Sequence, residues 1–61
     1  SFIIEPKAKT LLQRLLHQKS HSIRAVERSY RIARTIADFE ECEWVSTRHL
    51  SEAISLRGLT N

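Results

Sequence analysis

The sequence predicts an all-α fold, a small helical bundle of three main helices, and three observations support this. A chain of 61 residues allows one small domain and buries only about 60% of the surface that its unfolded form exposes. One glycine and one proline are too few for the turns of an all-β fold. Three segments repeat apolar residues at the three- and four-residue spacing of amphipathic helices.

The first helix is predicted over about residues 6–18. Pro6 suits its first position, because the N–H that proline lacks would have no partner there. One apolar stripe follows, made of Ala8, Leu11, Leu12, Leu15 and Leu16.

The second helix is predicted over about residues 23–40, with Ser22 as its N-cap. Its apolar residues cover more than half of the circumference, which predicts a central helix packed on two sides. They are Ile23, Ala25, Val26, Tyr30, Ile32, Ala33, Ile36, Ala37 and Phe39. The remaining strip is polar, and Glu27–Arg31 and Arg34–Asp38 are i,i+4 pairs within it.

The third helix is predicted over about residues 47–57, with Ser46 as its N-cap. Gly58 follows as the residue expected to end it. The predicted buried stripe consists of Leu50, Ala53, Ile54 and Leu56. Because none of the three helices could bury its stripe alone, we expect them to share one core with the second helix at its centre.

The chain lacks the residue combinations of catalysis, so we predict no catalytic residue and no metal ligand in it. It has no glycine-rich phosphate loop, no HExxH and no CxxC. His17 and His21 leave a zinc site short of ligands. Cys42 lies in an acidic loop, which disfavours a reactive thiolate. The carboxylates of that loop are interpreted as solvated; they are Glu40, Glu41 and Glu43.

Composition indicates the environment and the kinds of partner that suit the chain. A single cysteine cannot form an internal disulfide, which fits a reducing compartment. No apolar run approaches the roughly 20 residues needed to span a bilayer, so we expect no membrane partner. The net charge of +3 permits contact with phosphates without requiring it. The residues alone therefore predict a binding or regulatory module.

Among the arginines, Arg24 is the best candidate for an anion ligand. It lies in the first turn of the second predicted helix, where free N–H groups and the helix dipole favour an anion. Arg31 and Arg34 have carboxylates in register, whereas Arg24 has only Glu27 one turn further on. An arginine in this place can add bidentate hydrogen bonds to a phosphate.

Three segments resemble the C-terminal helical part of the magnesium-chelatase-like AAA+ ATPases, most closely the ComM (YifB) branch. The first is Ser22-Ile23-Arg24-Ala25, and the second is the block Arg31-Ile32-Ala33-Arg34-Thr35-Ile36-Ala37-Asp38. The third is His49-Leu50-Ser51-Glu52-Ala53-Ile54, followed by Arg57. The resemblance covers roughly residues 5–59.

This resemblance implies a single C-terminal lid domain that follows an ATP-binding core. Since the chain also begins without Met, we expect it to be a fragment of a longer ATPase. ATP and Mg²⁺ would then be bound by the parent protein and not by the fragment, which itself would not be an enzyme. Arg24 corresponds to the family's sensor-2 residue, which contacts the γ-phosphate of ATP. We expect Arg28 and Arg31 to make subunit-interface or secondary phosphate contacts.

The family also implies two partners: the upstream AAA+ core of the same chain, and neighbouring subunits of a ring that is usually a hexamer. We expect the protein to be cytoplasmic. ComM-type members act on DNA in competence and branch migration, whereas chelatase relatives insert a metal into a porphyrin. Two other classes of protein stay open. One is a stand-alone DNA-binding module whose third helix faces a groove through Ser46, Thr47, Arg48, His49 and Arg57. The other is a protein-interaction bundle, which an exposed Trp44 would favour.

Overall fold

The computed structural model describes residues 3–18 and 22–59, and these form three helices and one small sheet. The helices are α1 (Pro6–His17), α2 (Ile23–Phe39) and α3 (Thr47–Leu59). The strands are β1 (Ile3–Ile4) and β2 (Trp44–Val45). The predicted fold class, a small helical bundle of three main helices, is confirmed. His21, considered above for zinc, lies outside the described residues.

Each helix begins at the residue type that the sequence placed there. Pro6 occupies the first turn of α1. The Ser22 hydroxyl accepts the Ala25 N–H at 3.1 Å and caps α2. The Ser46 hydroxyl accepts the His49 N–H at 3.4 Å and caps α3. The two predicted serine caps are therefore confirmed.

Helix α2 ends in a Schellman motif. The Cys42 N–H donates to the Ala37 carbonyl at 2.8 Å, and the Glu41 N–H donates to the Asp38 carbonyl at 3.0 Å. Glu41 supplies the left-handed residue of this motif, with φ of 60°, where glycine is usual. Cys42 then turns back to pack against the core.

The two strands pair in parallel, a feature that the sequence analysis did not predict. Ile3 lies opposite Trp44, and Ile4 lies opposite Val45. The Glu5 N–H extends the pairing with a 3.0 Å hydrogen bond to the Val45 carbonyl. The sheet therefore fastens the start of α1 beside the start of α3.

The core lies where α2 packs against α3, with α1 and Val45 closing its sides. Small side chains let the helices approach closely. The fully buried apolar residues of the core cluster are Ala8, Ala33, Ala37, Val45, Leu50 and Ala53. Ser29 is also buried, and its hydroxyl donates to the Ala25 carbonyl at 3.1 Å, so its polar group is satisfied.

Several apolar residues assigned above to buried stripes are exposed instead. Phe39 is 92% exposed and Ile23 is 73% exposed, and Leu16 and Leu56 are about half exposed. The buried positions of α2 centre on Val26, Ser29, Ala33 and Ala37, and Phe39 projects from the opposite side of the helix. Helix α2 is thus central, but its contact face is narrower than its apolar composition suggested.

The end of α3 differs from the prediction as well, because the helix runs through Gly58 to Leu59. Gly58 is therefore not the residue at which this helix ends. Among the described residues, no helix is long and apolar enough to cross a membrane.

Candidate functional site

Arg24 lies in the first turn of α2, two residues after the capping Ser22, and its side chain is exposed. No hydrogen bond or ion pair joins its guanidinium to any other described residue. The cap consumes the Ala25 N–H, whereas the N–H groups of Ile23 and Arg24 have no acceptor within the helix. At the start of α2, a guanidinium without a partner among the described residues therefore lies beside backbone donors that have none within the helix.

The charges of α2 oppose the dipole of the helix. Its first turn holds no acidic residue and its last turn holds no basic one. A cation at a helix N-terminus is unfavourable by about 0.3–1 kcal/mol, so Arg24 weakens the helix in which it stands. An anion bound there would reverse this interaction into a favourable one, because it would meet the guanidinium and the positive end of the dipole together.

The other arginines of α2 fall into two groups. Arg31 lies 3.9 Å from Glu27, and Arg34 lies 3.6 Å from Asp38, so both predicted i,i+4 pairs are confirmed. Arg28 is exposed and, like Arg24, makes no ion pair with the described residues. The Arg28 and Arg31 side chains follow Arg24 along the same exposed face of the helix.

Arg34 differs from Arg24 in its surroundings. It is partly buried and paired with Asp38. It also lies near Tyr30, whose pKa is raised by burial, an effect that the Arg34 charge opposes. Arg34 is therefore part of the packed structure, and only the start of α2 offers an unpaired arginine beside free backbone donors within the described part of the chain.

A second polar cluster joins the end of α2 to the start of α3. The Glu40 carboxylate accepts the Arg48 guanidinium at 2.6 Å and the His49 Nε2–H at 3.0 Å. Arg48 reaches Glu52 at 3.4 Å as well. Hydrogen bonds from Arg48 and then His49 lower the pKa of Glu40 from 4.5 to about 2, and the same carboxylate raises the pKa of Arg48.

His49 is only 2% exposed and completes a capping box at the start of α3. The Ser46 N–H donates to His49 Nδ1 at 2.9 Å, while the Ser46 hydroxyl accepts the His49 N–H. Because Nδ1 accepts, the ring proton lies on Nε2, where it donates to Glu40. Both ring nitrogens are thus used within the fold.

Glu40, Cys42 and His49 place possible ligand atoms within 4.8 Å of one another, a grouping that the sequence analysis did not predict. The hydrogen bonds weigh against a cation there. His49 could ligate through Nε2 only by moving its proton to Nδ1, which faces the Ser46 N–H. The Arg48 guanidinium also occupies the Glu40 carboxylate. The absence of a metal site stays a prediction.

This cluster and the core explain the structural roles of residues in the segment His49-Leu50-Ser51-Glu52-Ala53-Ile54. His49 closes the capping box, Leu50 and Ala53 are buried, and Glu52 pairs with Arg48. A serine followed three residues later by a hydrogen-bonding side chain is the spacing of a capping box. The spacing from Ser46 to His49 could therefore have predicted the capping role of His49. No sequence spacing pointed to Glu40 as the partner, because that contact joins two helices across a turn.

The arrangement defines a class of protein: a small helical domain whose central helix presents an exposed arginine at its start. The chain belongs to the family described as "Magnesium chelatase, subunit ChlI C-terminal", whose model matches residues 1–57. It is also similar to the uncharacterized protein YifB of Salmonella typhimurium strain LT2, with 50% identity over 38 residues. That match covers 62% of this chain and 8% of the relative, and no solved structure matched significantly. The resemblance drawn from the three segments is confirmed.

Proposed function

We propose that this domain is the C-terminal lid of an ATP-driven AAA+ enzyme and that Arg24 contacts the γ-phosphate of ATP as its sensor 2. The observation that carries the proposal is the Arg24 guanidinium, which pairs with no described residue, beside N–H groups that have no acceptor within the helix at the start of α2. ATP and Mg²⁺ are bound by the longer protein, whose phosphate loop and catalytic residues belong to its core. The lid itself supplies no catalytic group.

The electrostatics support a phosphate at this place. As the γ-phosphoryl group is transferred, its charge spreads over the oxygens, and a fixed guanidinium stabilises it. An arginine held in the first turn of a capped helix is well fixed at its backbone. Because the lid is a separate domain, contact with ATP but not with ADP also couples hydrolysis to a rigid-body movement.

The proposal extends to partners. The lid packs on the core of its own polypeptide and contributes to contacts between neighbouring subunits of a ring, a hexamer by analogy with the family. Arg28 and Arg31, exposed on the same face as Arg24, serve these contacts or reach further phosphates. The longer protein is a cytoplasmic motor that acts on DNA in a competence or branch-migration role.

A stand-alone DNA-binding module is less well supported. Of the residues that would face a groove, Arg48 is bound to Glu40 and Glu52, and His49 is buried in its capping box. The carboxylates beside α3 also repel phosphates. The side chain of Arg57 lies outside the described ones. Tight binding of duplex DNA by these 61 residues at physiological salt would restore this alternative.

The test of the proposal is the ATPase activity of the full-length protein carrying Arg24→Ala. Loss of a charge-assisted contact to the γ-phosphate costs about 1.5–3 kcal/mol, which predicts roughly a 10- to 150-fold fall in kcat/KM for ATP. Steady-state phosphate release measures it.

Arg34→Ala is the matched control, since it removes the same side chain from the same helix about three turns further on. We expect its kcat/KM for ATP to stay close to that of the wild type, with thermal unfolding confirming that both variants fold. Equal losses in the two variants would remove the special role of Arg24.

A further inference from the structure

Helix α1 carries only positive charge on its exposed half. Lys7, Lys9 and Arg14 are exposed, and none of the seven acidic residues of the chain lies within this helix. The three cations form no ion pair with a described residue. By contrast, the last two arginines of α2 both pair with a carboxylate. Lys7, Lys9 and Arg14 are called the α1 basic strip below.

The α1 basic strip has the spacing of a phosphate backbone. Lys7 and Arg14 line the same cleft. They are seven residues apart, which places them about 10.5 Å apart along the helix axis. Three base steps of duplex DNA, at about 3.4 Å for each step, rise nearly the same distance. Lys9 and the exposed amide of Gln13 lie between them along the helix, and all these residue types contact phosphate oxygens.

The other side chains of α1 argue against other anionic partners. An anionic membrane would need an apolar helix face to enter the bilayer, but Ala8 and Leu15 are buried, and Leu11 and Leu12 pack against the core. Protein interfaces depend on aromatic anchors, and the bases of single-stranded nucleic acid stack on aromatic side chains. Helix α1 has no aromatic residue. The charge of the strip is therefore complementary to the backbone of a nucleic-acid duplex.

We infer that the α1 basic strip binds the phosphate backbone of duplex DNA without reading its sequence. The choice of DNA over RNA rests on the proposed function, in which the longer protein acts on DNA. The strip lies on a different helix from Arg24 and from the third-helix surface considered above. Because phosphate contacts carry no sequence information, the strip contributes equally to the binding of unrelated duplexes.

The salt dependence of DNA binding by the full-length protein counts these contacts. Fluorescence anisotropy of a labelled duplex gives the Kd at a series of salt concentrations, with and without a slowly hydrolysed ATP analogue. Each phosphate contact contributes about 0.9 to the slope of log K against log salt. The triple variant Lys7→Gln, Lys9→Gln, Arg14→Gln should therefore lower the slope by about 2.7, equally for two unrelated duplexes. An unchanged slope, or no binding of duplex DNA by the wild type in either condition, would overturn the inference.

Two controls separate the contacts of the strip from the effect of net charge. The triple variant Lys7→Arg, Lys9→Arg, Arg14→Lys keeps the three charges in place and should keep the wild-type slope. Arg34→Gln removes a cation that pairs with Asp38 and should also leave the slope unchanged. A loss of about 0.9 in Arg34→Gln would reveal a net-charge effect and contradict the inference.

Folding of each variant is checked by circular dichroism. If the triple glutamine variant does not fold, the single variants Lys9→Gln and Arg14→Gln replace it, and each should lower the slope by about 0.9. Tighter binding of duplex RNA than of duplex DNA would contradict the choice of DNA. The DNA measurement without nucleotide does not depend on Arg24, and the sensor-2 test needs no DNA, so the two proposals can fail separately.

Discussion

Glu40 is the residue that fastens α2 to α3. One carboxylate accepts both Arg48 and His49, and His49 in turn completes the cap of α3. The pKa of Glu40 is lowered from 4.5 to about 2 because both hydrogen bonds require the ionised form. Its stabilising contribution is therefore fully present above about pH 4.5 and is lost as the pH falls through about 2.

Replacing Glu40 by Gln should lower the urea midpoint of the domain at neutral pH, because the ion pair with Arg48 is lost. The difference from the wild type should narrow as the pH falls from about 5 to about 2, where the wild-type carboxylate becomes protonated. Urea titrations followed by circular dichroism at a series of pH values measure it. Glu43→Gln is the control, since Glu43 makes no ion pair with the described residues. A Glu40→Gln deficit that stays constant with pH would contradict this account.

At the scale of elements, the connection between α2 and α3 is a tight helix end and not a loose acidic loop. The Schellman hydrogen bonds and the packing of Cys42 define its path. Glu41 adopts the left-handed conformation at a cost of roughly 1–2 kcal/mol for a residue with a Cβ atom. The left-handed backbone of Glu41 therefore lowers the free energy of unfolding relative to a glycine at the same position.

Glu41→Gly should stabilise the domain. Glycine removes the strain, and its greater freedom in the unfolded chain offsets part of the gain, which leaves a net increase of about 0.5–1 kcal/mol in the free energy of unfolding. Chemical denaturation measures this change. Glu43→Gly is the matched control and should be neutral or destabilising, because only Glu41 has positive φ among the described residues. A destabilised Glu41→Gly variant would show that the Glu41 side chain contributes more than its backbone costs.

Sequence patterns predicted the elements that depend on local interactions. The helices follow from apolar spacing, and the caps follow from Ser22 and Ser46. The two-residue strands were missed because a stretch that short shows no alternation. The exposure of Ile23 and Phe39 could not be predicted, since it depends on which face of α2 the neighbouring helices cover.

In the candidate site too, the residues set by local sequence could be predicted, and the contacts that depend on the path of the chain could not. Arg24 could be chosen because its position at a helix start is local, and the resemblance gave it a role. The contact of Glu40 with Arg48 and His49 joins residues eight and nine positions apart across a turn. Predicting this contact would have required the path of the Schellman motif. The usual sequence signal for that motif is a glycine, and here Glu41 occupies its position.

At the scale of the whole molecule, the domain separates two surfaces. The start of α2 carries the Arg24 charge, which pairs with no described residue, and Ile3 and Trp44 expose apolar surface on the outer side of the two-stranded sheet. In the proposed lid, Arg24 reaches the nucleotide. A small core of alanines, Val45 and Leu50 keeps both surfaces in a fixed relation.

The most direct test of the central claim compares the affinities of the full-length protein for ATP and ADP with and without Arg24. A γ-phosphate contact predicts that Arg24→Ala weakens the binding of a slowly hydrolysed ATP analogue by roughly 10- to 150-fold, while the Kd for ADP changes by less than about twofold. Isothermal titration calorimetry measures both. Equal weakening of ATP and ADP binding, or no weakening of either, would contradict the assignment of Arg24 to the γ-phosphate.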